Sequence, residues 1–195
     1  MIIIGLTGSI GMGKTETARI FSNLGIPVYD ADASVHKIYE SGNIGALAIK
    51  KLFPEAISAD GSVDRTILSS IVVGNKTNIK KLEEIIHPLL KEDRLVFFEK
   101  NKNKKIVVLD IPLLLETKGE SQVDYVVVVS TSKNIQKQRV LARSNMTEDK
   151  FEKLLLSQMP NEIKCKKADF VIDTSISIDD AKKQVLNILK EIESE

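Results

Sequence analysis

The chain has 195 residues, of which 28 are Lys or Arg and 27 are Asp or Glu, so its formal net charge is +1. A chain of this length forms one compact domain, or a core with inserted pieces, and its balanced charge offers no basic excess for nucleic-acid binding. The single cysteine, Cys165, excludes an internal disulfide and any cysteine-rich metal site. Since no apolar run approaches the roughly 18 residues that cross a bilayer, we expect no membrane partner. We also expect a cytoplasmic protein, a monomer, with no nucleic-acid partner.

The N-terminal residues predict a buried strand, a glycine-rich loop and a helix, in that order. Residues 2–6 are apolar, residues 8–15 read Gly-Ser-Ile-Gly-Met-Gly-Lys-Thr, and residues 14–24 have apolar side chains at helical spacing. The loop has the pattern G-x-x-x-x-G-K-[ST], the phosphate-binding loop, with Gly8, Gly13, Lys14 and Thr15 at the defining positions. Because the apolar run has no basic segment before it and ends in this loop, we do not expect a signal peptide.

Each part of this loop has a physical role in binding a nucleotide. The glycines allow a tight turn in which consecutive N–H groups hold an anion, and the following helix adds its positive N-terminal end. Lys14 supplies a mobile charge for the terminal phosphates, and the Thr15 hydroxyl is suited to Mg²⁺. The alternative interpretation is a glycine-rich turn that merely connects a strand to a helix.

Residues 25–30 predict a second short buried strand, which ends in Asp30-Ala31-Asp32. Ligand groups gather at the carboxyl ends of parallel strands, so we expect these carboxylates to face the same crevice as the phosphate loop. A carboxylate there could accept a proton from an attacking hydroxyl or bind Mg²⁺. The alternative is that Asp32 caps the helix predicted over residues 33–40, and both roles are compatible.

Residues 33–100 contain no convincing strand and predict a helical insertion over that crevice. Apolar side chains have helical spacing over residues 46–53, 65–73 and 79–100. Asp64 is a predicted helix N-cap. Pro88 disfavours helical geometry at His87, which predicts a kink or a boundary there. Taken alone, His87 is more typical of a structural histidine than of a ligand contact.

Residues 104–110 predict a third buried strand that ends in Asp110. A carboxylate in this position orients Mg²⁺ in phosphate-loop proteins, often through water, and Glu116 follows near the same edge. The alternative role for Asp110 is that of a cap or turn residue.

The C-terminal part predicts two more strands, over residues 123–130 and 168–173, and a closing helix over residues 178–192. Between the strands, Arg139 and Arg143 are four residues apart, which places them on one face of a predicted helix. Paired arginines on a closing flap can supply the positive charge that phosphoryl transfer needs. The alternative is a solvated basic face. Thr147 is predicted to cap the next helix, which runs through Gln158.

Taken together, these motifs resemble those of the dephospho-coenzyme A kinase family, and the resemblance runs almost end to end. The order Asp-Ala-Asp, His-Pro and Asp-Ile-Pro-Leu-Leu-Leu-Glu is much more specific than the phosphate loop, which other nucleotide kinases share. The resemblance is carried by residues 6–15, 25–32, 64–65, 85–88, 109–116, 138–139, 143, 158 and 168–172.

The resemblance implies an α/β fold, a phosphate-loop NTPase core with a five-stranded parallel sheet flanked by helices. The core would comprise residues 1–30, 88–137 and 161–195. Residues 31–87 would form a helical coenzyme A-binding domain, and residues 138–160 a helical lid.

The resemblance also implies the reaction, in which the γ-phosphoryl group of ATP moves to the ribose 3′-hydroxyl of dephospho-coenzyme A. Lys14, Asp32, Arg139 and Arg143 would be catalytic, with Asp32 as the candidate base. Thr15 and Asp110 would bind Mg²⁺, the latter through water. Arg65, His87 and Glu116, together with Asp32, would contact the acceptor. The ATP phosphates would be bound by Gly8, Gly11, Met12, Gly13, Lys14, Thr15 and Glu16.

Two positions depart from the family pattern, and two alternative functions stay open. Glu16 stands where the family usually has Thr or a small residue, and Thr174 follows strand five where Asn is common, so no adenine contact is assigned there. One alternative is a phosphate-loop kinase that acts on a nucleoside or nucleoside monophosphate. The other is a non-catalytic nucleotide switch. A GTPase of that kind should carry Asn-Lys-x-Asp, which neither residues 75–78 nor residues 101–104 complete.

Overall fold

The computed structural model describes residues 1–194, which divide into two compact units. The first unit comprises residues 1–29 and the chain from Asn103 onward, and the second comprises Asp30–Lys102. The insertion predicted from sequence ended at residue 87. The second unit extends further because its last helix runs without interruption to Lys100.

The first unit is built on a five-stranded sheet, as predicted. Its strands are β1 (Ile2–Thr7), β2 (Val28–Asp30), β3 (Ile106–Asp110), β4 (Tyr125–Ser130) and β5 (Phe170–Asp173), in the spatial order β2-β3-β1-β4-β5. The β1 strand pairs in parallel with β3 and β4, so that Ile4 lies opposite Val108 and Tyr125. All five residues of β3 are buried, as expected for a central parallel strand covered on both faces.

The described residues contain nine α-helices. They are α1 (Lys14–Asn23), α2 (Ala31–Ile38), α3 (Ile44–Leu52), α4 (Arg65–Val72), α5 (Lys76–Lys100), α6 (Lys133–Leu141), α7 (Glu148–Leu156), α8 (Asn161–Lys167) and α9 (Ile178–Ser194). No described helix is both long and apolar enough to span a membrane.

Alternate residues of β4 enter two different cores on the two faces of the sheet. Val127 and Val129 belong to the larger core, which includes Phe21 of α1 and Val185 of α9. Val126 and Val128 belong to a smaller core that contains Leu114 and Leu115. This division follows from the period of two in a strand, and it explains why β4 is apolar throughout.

The second unit is helical. Among its described residues, the only β-type pairing is an isolated antiparallel bridge between Ile57 and Val63. Its core joins Ile38, Ile49, Phe53 and Ile86. These side chains come from α2, α3, the start of a short 3-10 turn (residues 54–56) and α5.

Helix caps account for several of the helix starts. Asp64 accepts hydrogen bonds from the Thr66 and Ile67 amides, and Thr147 accepts one from the Lys150 amide, so both predicted caps are confirmed. Asp32, however, is not the cap of α2. That helix begins two residues earlier than predicted, and Asp30 accepts the hydrogen bond from the Ala33 amide at 2.9 Å.

A helix boundary at His87-Pro88, one of the two predicted possibilities, was wrong, because α5 continues through both residues, and the other possibility, a kink, stays a prediction. Proline removes one helical hydrogen bond and costs about 3 kcal/mol or more in a helix interior. Four partly buried side chains, two before Pro88 and two after it, pack with the buried Ile86 against the core of the second unit, and their burial offsets that cost. These four are Leu82, Ile85, Leu89 and Leu90.

Candidate active site

The phosphate loop occupies residues 8–13, between the end of β1 and the start of α1. The Met12 amide donates to the Ser9 carbonyl at 3.1 Å, which closes a tight turn. Gly11 and Gly13 have φ values of 78° and 95°, a left-handed conformation that favours glycine. The loop therefore ends directly at the positive end of α1, the arrangement that binds phosphate.

Lys14 and Asp110 form the charged centre of this site. The Lys14 ammonium donates to Asp110 Oδ1 at 2.7 Å, and their side chains are 17% and 6% exposed. The two residues meet because β1 and β3 are neighbours, with Leu6 opposite Asp110. Thr15 follows Lys14 and is exposed in the first turn of α1.

Glu16, which departs from the family pattern, does not leave an unbalanced charge beside the loop. Its carboxylate forms an ion pair with Arg19 at 2.6 Å on the exposed surface of α1. The two residues are three apart on the helix, the spacing at which side chains of opposite charge meet.

Arg139 binds the segment that follows β5. Its guanidinium donates to the Thr174 hydroxyl at 2.9 Å and to the Thr174 carbonyl at 2.7 Å. The same hydroxyl lies 2.8 Å from the carbonyl of Met12 in the phosphate loop, to which it donates. Sequence reasoning gave Thr174 no role. The available signal was its position just beyond a strand, at the edge of the sheet where ligand groups gather.

Arg143 does not share the α6 face with Arg139, and that prediction was wrong. The helix ends at Leu141, and Arg143 lies in the turn that follows, where its side chain is exposed. The Arg143 amide donates to the Val140 carbonyl at 3.1 Å, and Asn145 adopts a φ of 61°. Asn tolerates this left-handed geometry, which does not continue a right-handed helix.

Glu116 connects the segment after β3 to the start of α8. Its Oε1 accepts a hydrogen bond from the Met159 amide at 2.9 Å and lies 2.7 Å from the Lys164 ammonium. Burial alone would raise the pKa of Glu116, but Lys164 and the Met159 amide outweigh it and hold that pKa below its usual value. Lys164 is fully buried. Its ammonium group is close to the Glu116 carboxylate but makes no well-aligned hydrogen bond with any described residue.

The second unit holds the remaining predicted residues, and all three of them are exposed: Asp32, Arg65 and His87. The Arg65 guanidinium is in hydrogen-bond contact with Nε2 of His36, a residue to which sequence reasoning assigned no role. Burial raises the pKa of the neighbouring Tyr39, and the positive charge of Arg65 opposes that shift.

The fold and the loop define the class of protein. The five-stranded sheet, with the phosphate loop between β1 and α1 and an acidic residue at the end of β3, is that of a phosphate-loop kinase. Shikimate kinase from Bacteroides thetaiotaomicron shares this fold at 13% identity, with a TM-score of 0.54 over 97% of this chain and 98% of that one.

The comparisons with known proteins identify the family. The family model described as dephospho-CoA kinase matches residues 2–180. Dephospho-CoA kinase from Bradyrhizobium diazoefficiens is 50% identical over 98% of this chain and 96% of its own length. The Rhodopseudomonas palustris relative of that name is 48% identical, over 97% of this chain and 95% of its own.

Two solved structures resemble this chain over nearly its whole length. Dephospho-CoA kinase from Campylobacter jejuni is 29% identical and has a TM-score of 0.64, over 97% of this chain and 96% of that one. The protein TT1252 from Thermus thermophilus is 33% identical, with a TM-score of 0.85 over 97% of both chains. The chain belongs to the dephospho-CoA kinase family, which confirms the resemblance of its motifs.

Proposed function

We propose that this chain transfers the γ-phosphoryl group of ATP to the ribose 3′-hydroxyl of dephospho-coenzyme A, which gives coenzyme A and ADP. The observation that carries the proposal is the Lys14–Asp110 pair beside the phosphate loop, in a chain of this family. The second unit supplies the coenzyme A-binding domain, proposed from sequence as residues 31–87. Residues 138–160 act as the lid, and the protein works as a cytoplasmic monomer.

The phosphate loop binds and orients ATP. The amides of residues 11–16 converge on its phosphates, and Lys14 neutralises the charge on the terminal ones. Phosphoryl transfer needs little covalent assistance from the protein, so these contacts contribute mainly by positioning and by electrostatic stabilisation.

The residues beside the loop also fit a magnesium ion. Thr15 offers a hydroxyl and Asp110 a buried carboxylate, and Mg²⁺ is usually held by one or two carboxylates together with substrate phosphates and water. Thr15 and Asp110 would hold the ion, the latter through a water molecule. The ion supplies charge neutralisation at the phosphate oxygens.

Asp32 serves as the general base for the 3′-hydroxyl. Its carboxylate is exposed in the first turn of α2, and the capping role is filled by Asp30. The carboxylate accepts the hydroxyl proton as the oxygen attacks the γ-phosphorus and the bond from that phosphorus to the ADP oxygen breaks. Arg139 and Arg143 balance the negative charge of the transferring group.

Arg65, His87 and Glu116 bind the acceptor. Arg65 and His87, in the second unit, are exposed and can donate hydrogen bonds to an acceptor that carries phosphate groups. Glu116 is proposed as an acceptor contact from the resemblance of the segment 109–116 to the family, and its side chain is partly exposed at 17%.

The test is a coupled assay for ADP release with ATP and Mg²⁺. Dephospho-coenzyme A is offered beside adenosine, AMP and other nucleoside monophosphates, and the product is identified by mass spectrometry. We expect ADP release that depends on dephospho-coenzyme A, with coenzyme A as the product. Turnover with another acceptor only would support a kinase but contradict dephospho-coenzyme A as its substrate. If no acceptor gave turnover, a non-catalytic nucleotide-binding protein would be favoured.

A further inference from the structure

Both peptide groups that flank Ile10, in the phosphate loop, are held by glutamine side chains. The Ile10 N–H donates to Oε1 of Gln158 at 3.1 Å, and Nε2 of Gln136 donates to the Ile10 carbonyl at 2.7 Å. The glutamines lie 148 and 126 positions away in sequence, so neither bond is a product of local turn geometry.

The bond from Gln136 sets the direction of an amide in the loop. The Ile10 carbonyl and the Gly11 N–H belong to one planar trans peptide and point in opposite directions. Because the carbonyl is directed at Gln136, the Gly11 N–H is directed away from it. The Gly11 amide is the first of those proposed to bind the ATP phosphates. Glycine at this position would otherwise let the peptide rotate at little cost.

Gln136 is itself buried and closely packed, so its side chain can fix the orientation of the Ile10–Gly11 peptide. The residue is only 4% exposed, and α6 lies close to the loop at Gly11. A Cβ atom on Gly11 would lie 2.5 Å from Val140 Cγ2 and 3.0 Å from the Gln136 carbonyl. The approach of α6 therefore leaves no room for a side chain at Gly11, next to the peptide to which the amide group of Gln136 is bonded.

Gln158 fixes the preceding peptide in the same manner. In the peptide that joins Ser9 and Ile10, the N–H is bonded to Gln158 and the carbonyl accepts from the Met12 amide at 3.1 Å. The residue after Gln158 is anchored as well, since the Met159 amide donates to Glu116. This peptide is thus restrained at both ends.

We propose that Gln136 and Gln158 are positioning residues for phosphoryl transfer, which orient the peptides on either side of Ile10 so that the loop amides converge on the ATP phosphates. They stand near the two ends of the segment that carries Arg139 and Arg143, on α6 and just beyond α7. The bond from Gln158 therefore connects the proposed lid, residues 138–160, to the loop, and the bond from Gln136 lies just before the lid begins. This inference rests on the proposed function, because the ATP site is what the two residues position.

The test uses Gln136→Met and Gln158→Met, which retain side-chain length and remove the hydrogen bond. The matched control is Gln122→Met, the same substitution at an exposed position. ATP affinity is measured by calorimetry without acceptor, and KM is measured for each substrate. We expect the Kd and KM for ATP to rise roughly 10-fold in each glutamine variant, as for a lost hydrogen bond that leaves its partner unsatisfied. The KM for dephospho-coenzyme A should stay within about twofold, because an orienting bond at the ATP site acts on ATP.

A purely structural role would show a different result. It would lower Tm with unchanged ATP affinity, or raise both KM values alike, and either outcome overturns the proposal. If Gln136→Met does not fold, Gln158→Met decides the question, since Gln158 is only half-buried. ATP binding is measured without acceptor, so a wild-type protein that binds ATP but forms no coenzyme A would contradict the proposed function and not this inference.

Discussion

Lys14 and Asp110 lie 96 residues apart in sequence, yet the lysine ammonium donates to the aspartate carboxylate at 2.7 Å. The lysine belongs to the loop after β1, and the aspartate ends the neighbouring strand β3. This pair places the cation that ATP needs beside a carboxylate suited to Mg²⁺, and it holds the lysine side chain at the loop.

We expect Lys14→Ala to reduce kcat by on the order of 10²–10³-fold or more, because the transition state loses its central cation. Steady-state assays with dephospho-coenzyme A measure the loss. The matched control is Lys105→Ala, which removes an exposed lysine one residue before β3 and should leave kcat unchanged. A near-normal kcat for Lys14→Ala would contradict the assignment of this loop.

Asp30 caps α2, and Asp32 is the proposed general base, so substitutions at the two positions should have different effects. We expect Asp30→Ala to lower the free energy of unfolding by about 1 kcal/mol, since it removes the cap of α2. We expect Asp32→Asn to lower kcat by roughly 10²–10⁴-fold, with little change in ATP affinity or stability, because it removes the proposed general base. Denaturant unfolding and steady-state kinetics on both variants check the two effects. A stability loss in Asp32→Asn with normal kcat would leave Asp32 without a catalytic role.

Arg143 is exposed in the turn after α6, so its removal should not disturb the core. We expect Arg143→Ala to reduce kcat about 10-fold or more, with smaller changes in the KM of either substrate, because its charge is proposed to act on the transferring group. Lys153→Ala removes an exposed cation from α7 in the same segment and serves as the control. An unchanged kcat would make Arg143 part of a solvated basic surface.

The Glu116–Lys164 pair gives a prediction on stability. Lys164 is fully buried, so Glu116→Gln would leave its ammonium without a counter-charge. We expect this substitution to lower the free energy of unfolding by roughly 3–5 kcal/mol near neutral pH. Lys133→Met, which breaks the exposed pair with Glu162, should have little effect.

The pH dependence of that loss follows from the pKa of Glu116. Burial would raise this pKa, but Lys164 and the Met159 amide outweigh burial and bring it below the usual value of 4.5. A carboxyl group with a lowered pKa in the folded state contributes stability above its unfolded pKa and loses it as the pH falls through the folded pKa. We therefore expect the difference between wild type and Glu116→Gln to shrink below about pH 4.5, measured by urea unfolding. A difference that stays constant with pH would contradict the ion-pair account.

Local patterns predicted much of this architecture. The buried strands, the phosphate loop and the caps at Asp64 and Thr147 depend on residues close together in the chain, and the structure has them. Errors arose where two local preferences competed. Only Asp32 was considered as the cap of α2, but the helix starts two residues earlier than predicted and Asp30 caps it. Pro88 disfavours a helix, but the apolar side chains on both sides of it outweighed that preference.

The sequence by itself determined the class of site, since the loop pattern, Asp110 and the order of the later motifs are properties of short segments. Only the tertiary structure decided which distant side chains hold that site in place. Gln136, Gln158 and Thr174 bind the backbone of the loop from more than 120 residues away. The physical reason is that these bonds depend on the order of the strands and the packing of α6. No periodicity or spacing in the chain encodes which glutamine will meet which peptide group.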